Sequence, residues 1–116
     1  MIEVAAEPVI KDLFSLREEE AGSENPITIH ALSIANGLLE NAYGVLGELP
    51  RTMLVADSEG GIGIEWIRDD RRVRVIIPAL PERPPYVYQR VGRESKVEPF
   101  SNSVVIQMLR SVILAP

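Results

Sequence analysis

The chain contains no cysteine. That excludes disulfides, thiolate metal sites and cysteine nucleophiles together, and it agrees with a reducing cytoplasm, where we expect the protein to reside. There is a single histidine, His30. No pair of imidazoles can therefore share a metal, and a general base at that position has no evident nucleophile or orienting group to work with. No apolar run approaches the ~20 residues that a membrane span needs. No basic segment followed by an apolar one reads as a secretory signal. Internal repeats and low-complexity tracts are also lacking. Excess basic charge is missing too: the net charge is −5 and the pI about 4.9, which argues against nucleic acid as a default partner, because phosphate binding needs a basic footprint.

What charge there is lies unevenly. Residues 1–50 hold two basic groups, Lys11 and Arg17, against nine acidic ones; residues 51–116 hold ten basic against eight acidic. The balance runs from −7 to +2. Such asymmetry can steer a partner or a second copy of the chain, or it can reflect two solvated halves. With 116 residues, 46% of them hydrophobic, the length favours one domain, 1–116, burying roughly two-thirds of its unfolded surface.

The first half reads as helical. Val9, Ile10, Leu13 and Phe14 follow the helical period over 9–17, with Pro8 suited to a first turn. Glu18, Glu19 and Glu20 oppose the helix dipole at its end, so fraying into a loop over 21–24 is expected. A second helix is expected to open at Asn25-Pro26, with Asn25 as N-cap. Its apolar stripe runs through Ala31, Ile34, Ala35, Leu38, Leu39, Ala42, Val45 and Leu46, and Gly44 or Gly47 ends it. Gly37 inside this helix reads as a point of close approach by another element.

From Thr52 the period changes to two. Strands are predicted over 52–56, 62–67, 72–77 and 86–91, with a short edge strand over 95–98. If Asp69-Asp70 is a tight hairpin loop, Trp66 faces Val73, Ile64 faces Val75 and Ile62 faces Ile77 on one side, while Glu65 faces Arg74 on the other. The prolines between 78 and 85 end the third strand. Ser101 or Asn102 caps a last helix whose stripe is Val104, Val105, Met108, Leu109, Val112 and Ile113. The expected fold class is α+β: an antiparallel β-meander of four to five strands, about 52–98, packed by N-terminal helices and a C-terminal helix.

No catalytic, cofactor-binding or metal-binding residue can be named. His30 fits a surface or packing role. Asp57, Glu59, Asp69 and Asp70 sit where turns favour acidic residues, and their spacing matches no cation loop. Gly60-Gly61-Ile62-Gly63 precedes a strand, whereas a phosphate cradle leads into a helix. Trp66 reads as a core anchor or, in the alternative, as part of an interface. One basic cluster stands out: Arg68, Arg71, Arg72, Arg74, Arg90 and Arg93. Arg72 and Arg74 should point off the non-core face, with Tyr86, Tyr88 and Arg90 beside them. That is the layout of a single-strand nucleic-acid platform, although Glu65, Asp69, Asp70, Glu94 and Glu98 interleave and cross-strand ion pairs account for the arginines as well.

Leu49-Pro50, followed by Asp57-Ser58-Glu59-Gly60-Gly61-Ile62-Gly63-Ile64-Glu65-Trp66, resembles a family of small uncharacterised bacterial proteins. In these a helix opening on proline leads to a Leu-Pro step, a Gly-Gly turn and an apolar-x-Glu-Trp strand. The resemblance covers about 25–77 and implies an α+β meander of unassigned activity. Family members often carry a Trp-Asp-Gly type segment before the proline; here Ala21-Gly22-Ser23-Glu24-Asn25 stands in its place.

The leading expectation is a non-catalytic protein-interaction component, one half of a two-protein bacterial module. Alternatives are a sheet face that binds single-stranded nucleic acid through Arg72, Arg74, Tyr86, Tyr88 and Arg90, and a small ligand-binding domain or enzyme with a pocket between helices and sheet. A homodimer is also expected. An open meander leaves strand edges unpaired, and the last helix is apolar enough, through Met108, Val112 and Ile106, to pack on the sheet or on a second chain.

Overall fold

The structure, a computed structural model, describes residues 7–115 of the chain. The flanking ends of the expected 1–116 domain lie outside the described residues. Helix α1 spans Glu7–Glu19 and continues as a 3₁₀ turn over Glu20–Gly22. The acidic run thus does not fray the helix where the sequence suggests. Ser23 closes the turn, its N–H and Oγ both donating to the Glu20 carbonyl at 3.0 and 2.7 Å, so a carbonyl left over at the helix end is satisfied. Leu13 is fully buried and Val9 and Leu16 pack at its side, but Phe14 is 45% exposed. The buried face of α1 is narrower than the expected stripe.

Helix α2 spans Ile29–Leu46, and its N-cap is Thr28 rather than Asn25. Thr28 Oγ1 accepts from the Ala31 N–H at 3.1 Å and donates to the Ala79 carbonyl at 2.7 Å. Its N–H donates to the Gly60 carbonyl at 3.1 Å. Asn25 Nδ2 instead donates to the Ser58 carbonyl at 3.1 Å. These long-range bonds hold 25–28 out of the helix and outweigh the local preference of Asn-Pro to start one. Gly47, at φ 80°, ends α2 with its N–H donating to the Tyr43 carbonyl.

Gly37 does not mark a close approach. It is exposed, and a Cβ there would meet nothing within 4 Å. Gly37→Ala should therefore raise stability by about 0.5–1 kcal/mol, the helix-propensity gain with no steric cost. A urea midpoint that falls on this substitution would show that something does pack there.

The sheet is a five-stranded antiparallel meander in the order β1-β2-β3-β4-β5, so the fold is α+β as the alternation predicts. The strands are β1 Met53–Ala56, β2 Ile62–Arg68, β3 Arg71–Ile77, β4 Tyr86–Val91 and β5 Glu94–Pro99. Asp69-Asp70 is the two-residue loop between β2 and β3, with Asp69 at φ 56°, a conformation that aspartate tolerates better than most side chains. Trp66, Ile64 and Ile62 pair with Val73, Val75 and Ile77, and Glu65 pairs with Arg74, the register that the two-residue loop dictates. β5 is one residue longer at each end than the sequence suggests, and Pro99 is tolerated because this is an edge strand.

Inward-facing Ile62, Ile64, Trp66, Val73, Val75, Ile77 and Val87 are fully or nearly fully buried. They form one cluster with Leu13 of α1, with the Ala31, Ala35, Leu38, Leu39 and Ala42 face of α2, and with the C-terminal helix. That helix, α3, spans Asn102–Met108 and widens into a π-helical turn over Leu109–Ile113. Ser101 caps it, Oγ accepting from the Val104 N–H at 3.1 Å. Val105, Ile106, Met108, Leu109, Val112 and Ile113 are all buried. Among the described residues no helix is long and apolar enough to cross a membrane.

The carbonyls at the end of the π turn are received by two arginines of the β2–β3 hairpin. Arg68 Nη1 donates to the Ile113 and Ala115 carbonyls, both at 2.8 Å. Arg71 Nη1 donates to those of Val112 and Ala115 at 3.1 and 3.3 Å. A cation at a helix C-terminus also meets the negative end of the dipole. Arg71→Ala should cost about 1–2 kcal/mol, because charge-assisted bonds to helix-end carbonyls are lost. Chemical denaturation followed by circular dichroism measures it; an unchanged midpoint would show that the clamp does not hold the C-terminal helix.

Candidate functional site

Successive side chains of a strand alternate between faces. Since α2 and α3 pack on the face that carries Trp66 and Val75, the other parity of every strand faces outward. The pairing register sorts these outward residues into three rows running across the sheet. The first row is Val55–Gly63–Ile76–Tyr86–Pro99, each member paired with the next. It contains no charged residue. The second is Met53–Glu65–Arg74–Tyr88–Val97, apolar or aromatic at its ends and ionic at its centre. The third is Ile67–Arg72–Arg90–Ser95. The outer face thus grades from apolar at one end to charged at the other, where Asp69 and Asp70 of the β2–β3 loop border the same hollow as Arg72 and Arg90. It is open: Val55 is 51% exposed, Tyr86 41% and Val97 61%.

The apolar end runs into a cleft of about 740 Å³. Its walls are Pro26 and Thr28 from the segment before α2, Asp57 and Glu59 from the β1–β2 turn, and Pro78, Leu80 and Pro84 from the loop after β3; Ile76 and Tyr86 line it from the sheet. The Glu59–Arg83 ion pair at 3.5 Å stands at its exposed rim. The proline-rich loop therefore does more than end β3. It builds a wall that prolongs the first row.

Three arginines on the face differ in what they already bind. Arg72 Nε pairs with Glu65 Oε2 at 3.0 Å, diagonally across the β2–β3 pair rather than through the directly opposed Arg74. Arg90 Nε donates to the Gly92 carbonyl at 2.9 Å. Arg74 is exposed and makes no ion pair or hydrogen bond among the described residues.

Of the residues singled out from sequence, Arg72, Arg74, Tyr86, Tyr88 and Arg90 do lie together on this face, with Arg74 directly opposite Tyr88 and Arg72 opposite Arg90. Met108 and Val112 do not belong with them. They are 4% and 5% exposed and sit in the core beneath the other face, because the chain's own sheet and α2 take up the apolar sides of the last helix. Arg68 and Arg71 leave the basic cluster for the helix clamp. Trp66 is a core residue with no exposed surface. His30 is half-buried in the first turn of α2.

The Gly60-Gly61 segment is a turn closed on itself. Asp57 Oδ1 accepts from the Glu59 and Gly61 N–H groups, each at 2.8 Å, and Gly60 takes φ 94°. Among the described residues no three acidic or histidine side chains gather as a metal site. The space between helices and sheet is filled by apolar side chains, with no fully buried polar or charged residue among those described. At its β4–β5 edge a polar hollow of about 450 Å³ opens, where Gln89, Lys96 and Glu98 of the sheet meet Ser103, Gln107 and Ser111 of the last helix.

The sequence reading missed Val55, Ile76, Leu80 and Pro99. The signal for Ile76 is present in the strand itself: it shares the outward parity of Arg72 and Arg74, where a solvated face would continue with a polar residue. Comparison of the chain with protein-family models, with curated proteins and with solved structures finds no match.

Proposed function

We propose that this protein is a non-catalytic interaction component that docks a protein partner on the outer face of its sheet. One observation carries the reading. The first outward row is apolar from β1 to β5, although the chain fills its core without it. An antiparallel sheet with one solvated face normally alternates apolar-in and polar-out, and a contiguous exposed apolar strip marks an interaction surface. The neighbouring basic residues supply orientation and encounter rate rather than bulk affinity.

The test is co-purification at native expression level in three forms of the chain. The unmodified protein and a Glu40→Lys control, altered on exposed α2 surface, should bring down a stoichiometric partner. Ile76→Asp combined with Tyr86→Asp should lose it while remaining folded. Recovery of the unmodified chain alone, or retention of the partner by the double variant, contradicts the proposal.

A second reading draws on the gathering of Tyr86, Tyr88, Arg72, Arg74 and Arg90 on one open face, the composition of a base-stacking platform. It predicts binding of mixed single-stranded oligonucleotides at ~50 mM salt that weakens steeply as salt rises. The uncharged first row and Glu65 at the centre of the second favour a polypeptide over a phosphate backbone.

A further inference from the structure

The two margins of the sheet differ in how they are guarded. An unpaired strand edge invites another strand, and proteins block it with proline, with charge and with charged side chains turned inward. β5 ends on Pro99 and carries the Lys96–Glu98 ion pair at 3.1 Å, both charges on the inward parity, with Glu98 opposite buried Val87. β1, Met53-Leu54-Val55-Ala56, has none of these. Asp57 N–H donates to the Gly61 carbonyl at 3.0 Å. Ladder alternation then makes Val55–Gly63 and Met53–Glu65 the hydrogen-bonded pairs of β1 and β2. Leu54 and Ala56 therefore turn their N–H and C=O groups away from the sheet, and among the described residues nothing bonds them. Helix α1 does not seal this margin: a hollow of about 250 Å³ stays open between Asp12, Leu16 and Glu19 of α1 and Thr52 and Leu54.

The segment around β1 is complementary to itself. From Arg51 to Asp57 it reads Arg-Thr-Met-Leu-Val-Ala-Asp. Laid antiparallel on a second copy with Leu54 opposite Leu54, it sets Met53 against Val55 and Arg51 against Asp57 on the outer face, each twice. Leu54–Leu54 and Thr52–Ala56 become the hydrogen-bonded pairs, using the backbone groups that β2 leaves free. Thr52 is held inward by Trp66 Nε1, so Arg51 falls on the outward parity, exposed and without an ion pair among the described residues. Asp57 lines the outer cleft; the turn holds its Oδ1 and leaves Oδ2 without a hydrogen bond among the described residues. A slip of two residues sets Asp57 against Met53 or Arg51 against Val55, and a slip of one reverses the faces.

From this we infer that a second copy of this chain pairs with β1 edge to edge, about a two-fold axis midway between the two Leu54 residues, so that one sheet runs through both protomers. The contact uses a strand edge and leaves the outer face uncovered, so it stands apart from the docking reading above. A single short strand pair belongs to the small, transient class of interfaces. Asp12 and Glu19 of both copies also lie near the axis, hydrated and screened. The dissociation constant should accordingly be on the order of micromolar.

The absence of cysteine allows a direct test of the register. Met53→Cys and Val55→Cys each replace an exposed side chain. Mixed in equal amounts and oxidised, the two variants should form a covalent dimer, because a non-hydrogen-bonded pair brings Cα atoms to about 4.5 Å. Each variant alone should cross-link at least about fivefold less, since its two thiols then lie on the diagonal, about 7–8 Å apart and beyond disulfide reach. In sedimentation equilibrium the unmodified chain should rise from 12.8 kDa toward twice that mass as its concentration passes through the micromolar range. Arg51→Glu should weaken the dimer by about tenfold, because the two-fold axis repeats the like-charge contact with Asp57 at both ends. Ile76→Asp with Tyr86→Asp should dimerise as the unmodified chain does.

A mass fixed at 12.8 kDa into the high-micromolar range, or a cross-linking yield no greater in the mixture than in each variant alone, overturns the inference. A dimer that Arg51→Glu leaves unchanged overturns it as well. A dimer lost in the Ile76→Asp, Tyr86→Asp variant overturns it by placing self-association on the sheet face. Loss of the native partner from that variant with the dimer intact supports both readings, and a dimer without any native partner strikes only the docking reading.

Discussion

Trp66→Ala should remove about 3–5 kcal/mol of folding stability, the range for deleting a large aromatic from a packed core. The indole is fully buried in the middle of β2, opposite Val73. Its loss leaves a cavity between sheet and helices. It also removes a polar tie: Nε1 donates to Thr52 Oγ1 at 2.8 Å, and that hydroxyl donates to the Pro50 carbonyl at 2.8 Å. The tie fixes the connection from α2 into β1. Domains have only about 5–15 kcal/mol in hand, so the variant should melt at least about 10 °C lower, at roughly 4–8 °C per kcal/mol for a domain near this size. Trp66→Phe keeps most of the volume and loses the donor, and should fall between the two. Trp66 is the chain's one tryptophan, so far-ultraviolet circular dichroism, not fluorescence, is the suitable probe. A loss below about 1 kcal/mol would contradict the placement of this residue.

Val112→Glu and Met108→Glu should unfold the chain rather than dissociate an assembly. Both side chains are covered by their own protomer, Val112 in the π turn held by Arg71, whose guanidinium takes the Val112 carbonyl. A carboxylate placed there has no partner, and burying an unpaired charge costs more than most domains can sustain. Loss of the cooperative urea transition is the expected result. A variant that stays folded and sediments at half the mass of the unmodified chain would instead show that these residues hold two copies together.

The elements that could be read from sequence are those whose local signals agree with their tertiary surroundings. The alternation of Ile62, Ile64, Trp66 with Val73, Val75, Ile77 and the two-residue Asp69-Asp70 loop are mutually consistent, and they yield the β2–β3 register directly. Ser101 starts one helix and Gly47 stops another by local chemistry that needs no distant partner. Asn25-Pro26 shows the opposite case. Its local preference loses to Thr28, whose N–H and hydroxyl meet carbonyls of Gly60 and Ala79, far away in sequence. The widening of α3 is illegible for a related reason, since Arg68 and Arg71 receive its last carbonyls from another element.

The candidate surface was half legible. Arg72, Arg74, Tyr86, Tyr88 and Arg90 follow from strand parity alone. The apolar row does not, because Val55, Ile76, Tyr86 and Pro99 come from four strands and align only once every register in the sheet is known. Nor could the sequence separate arginines that hold the helix from arginines that face solvent, since Arg68, Arg71, Arg72 and Arg74 all lie within one hairpin.

Hydroxyl-radical footprinting of the chain, alone and in the complex recovered at native level, decides whether the outer sheet face is where the partner docks. It reports exposure residue by residue without altering the surface. Met53 and Tyr86 lie exposed on the outer face, whereas Val45 is exposed in the last turn of α2, the helix that packs on the inner face. Docking on the outer face predicts that Met53 and Tyr86 react readily in the free chain and are protected in the complex, while Val45 reacts alike in both. Protection of Val45 with Met53 and Tyr86 unchanged would contradict it.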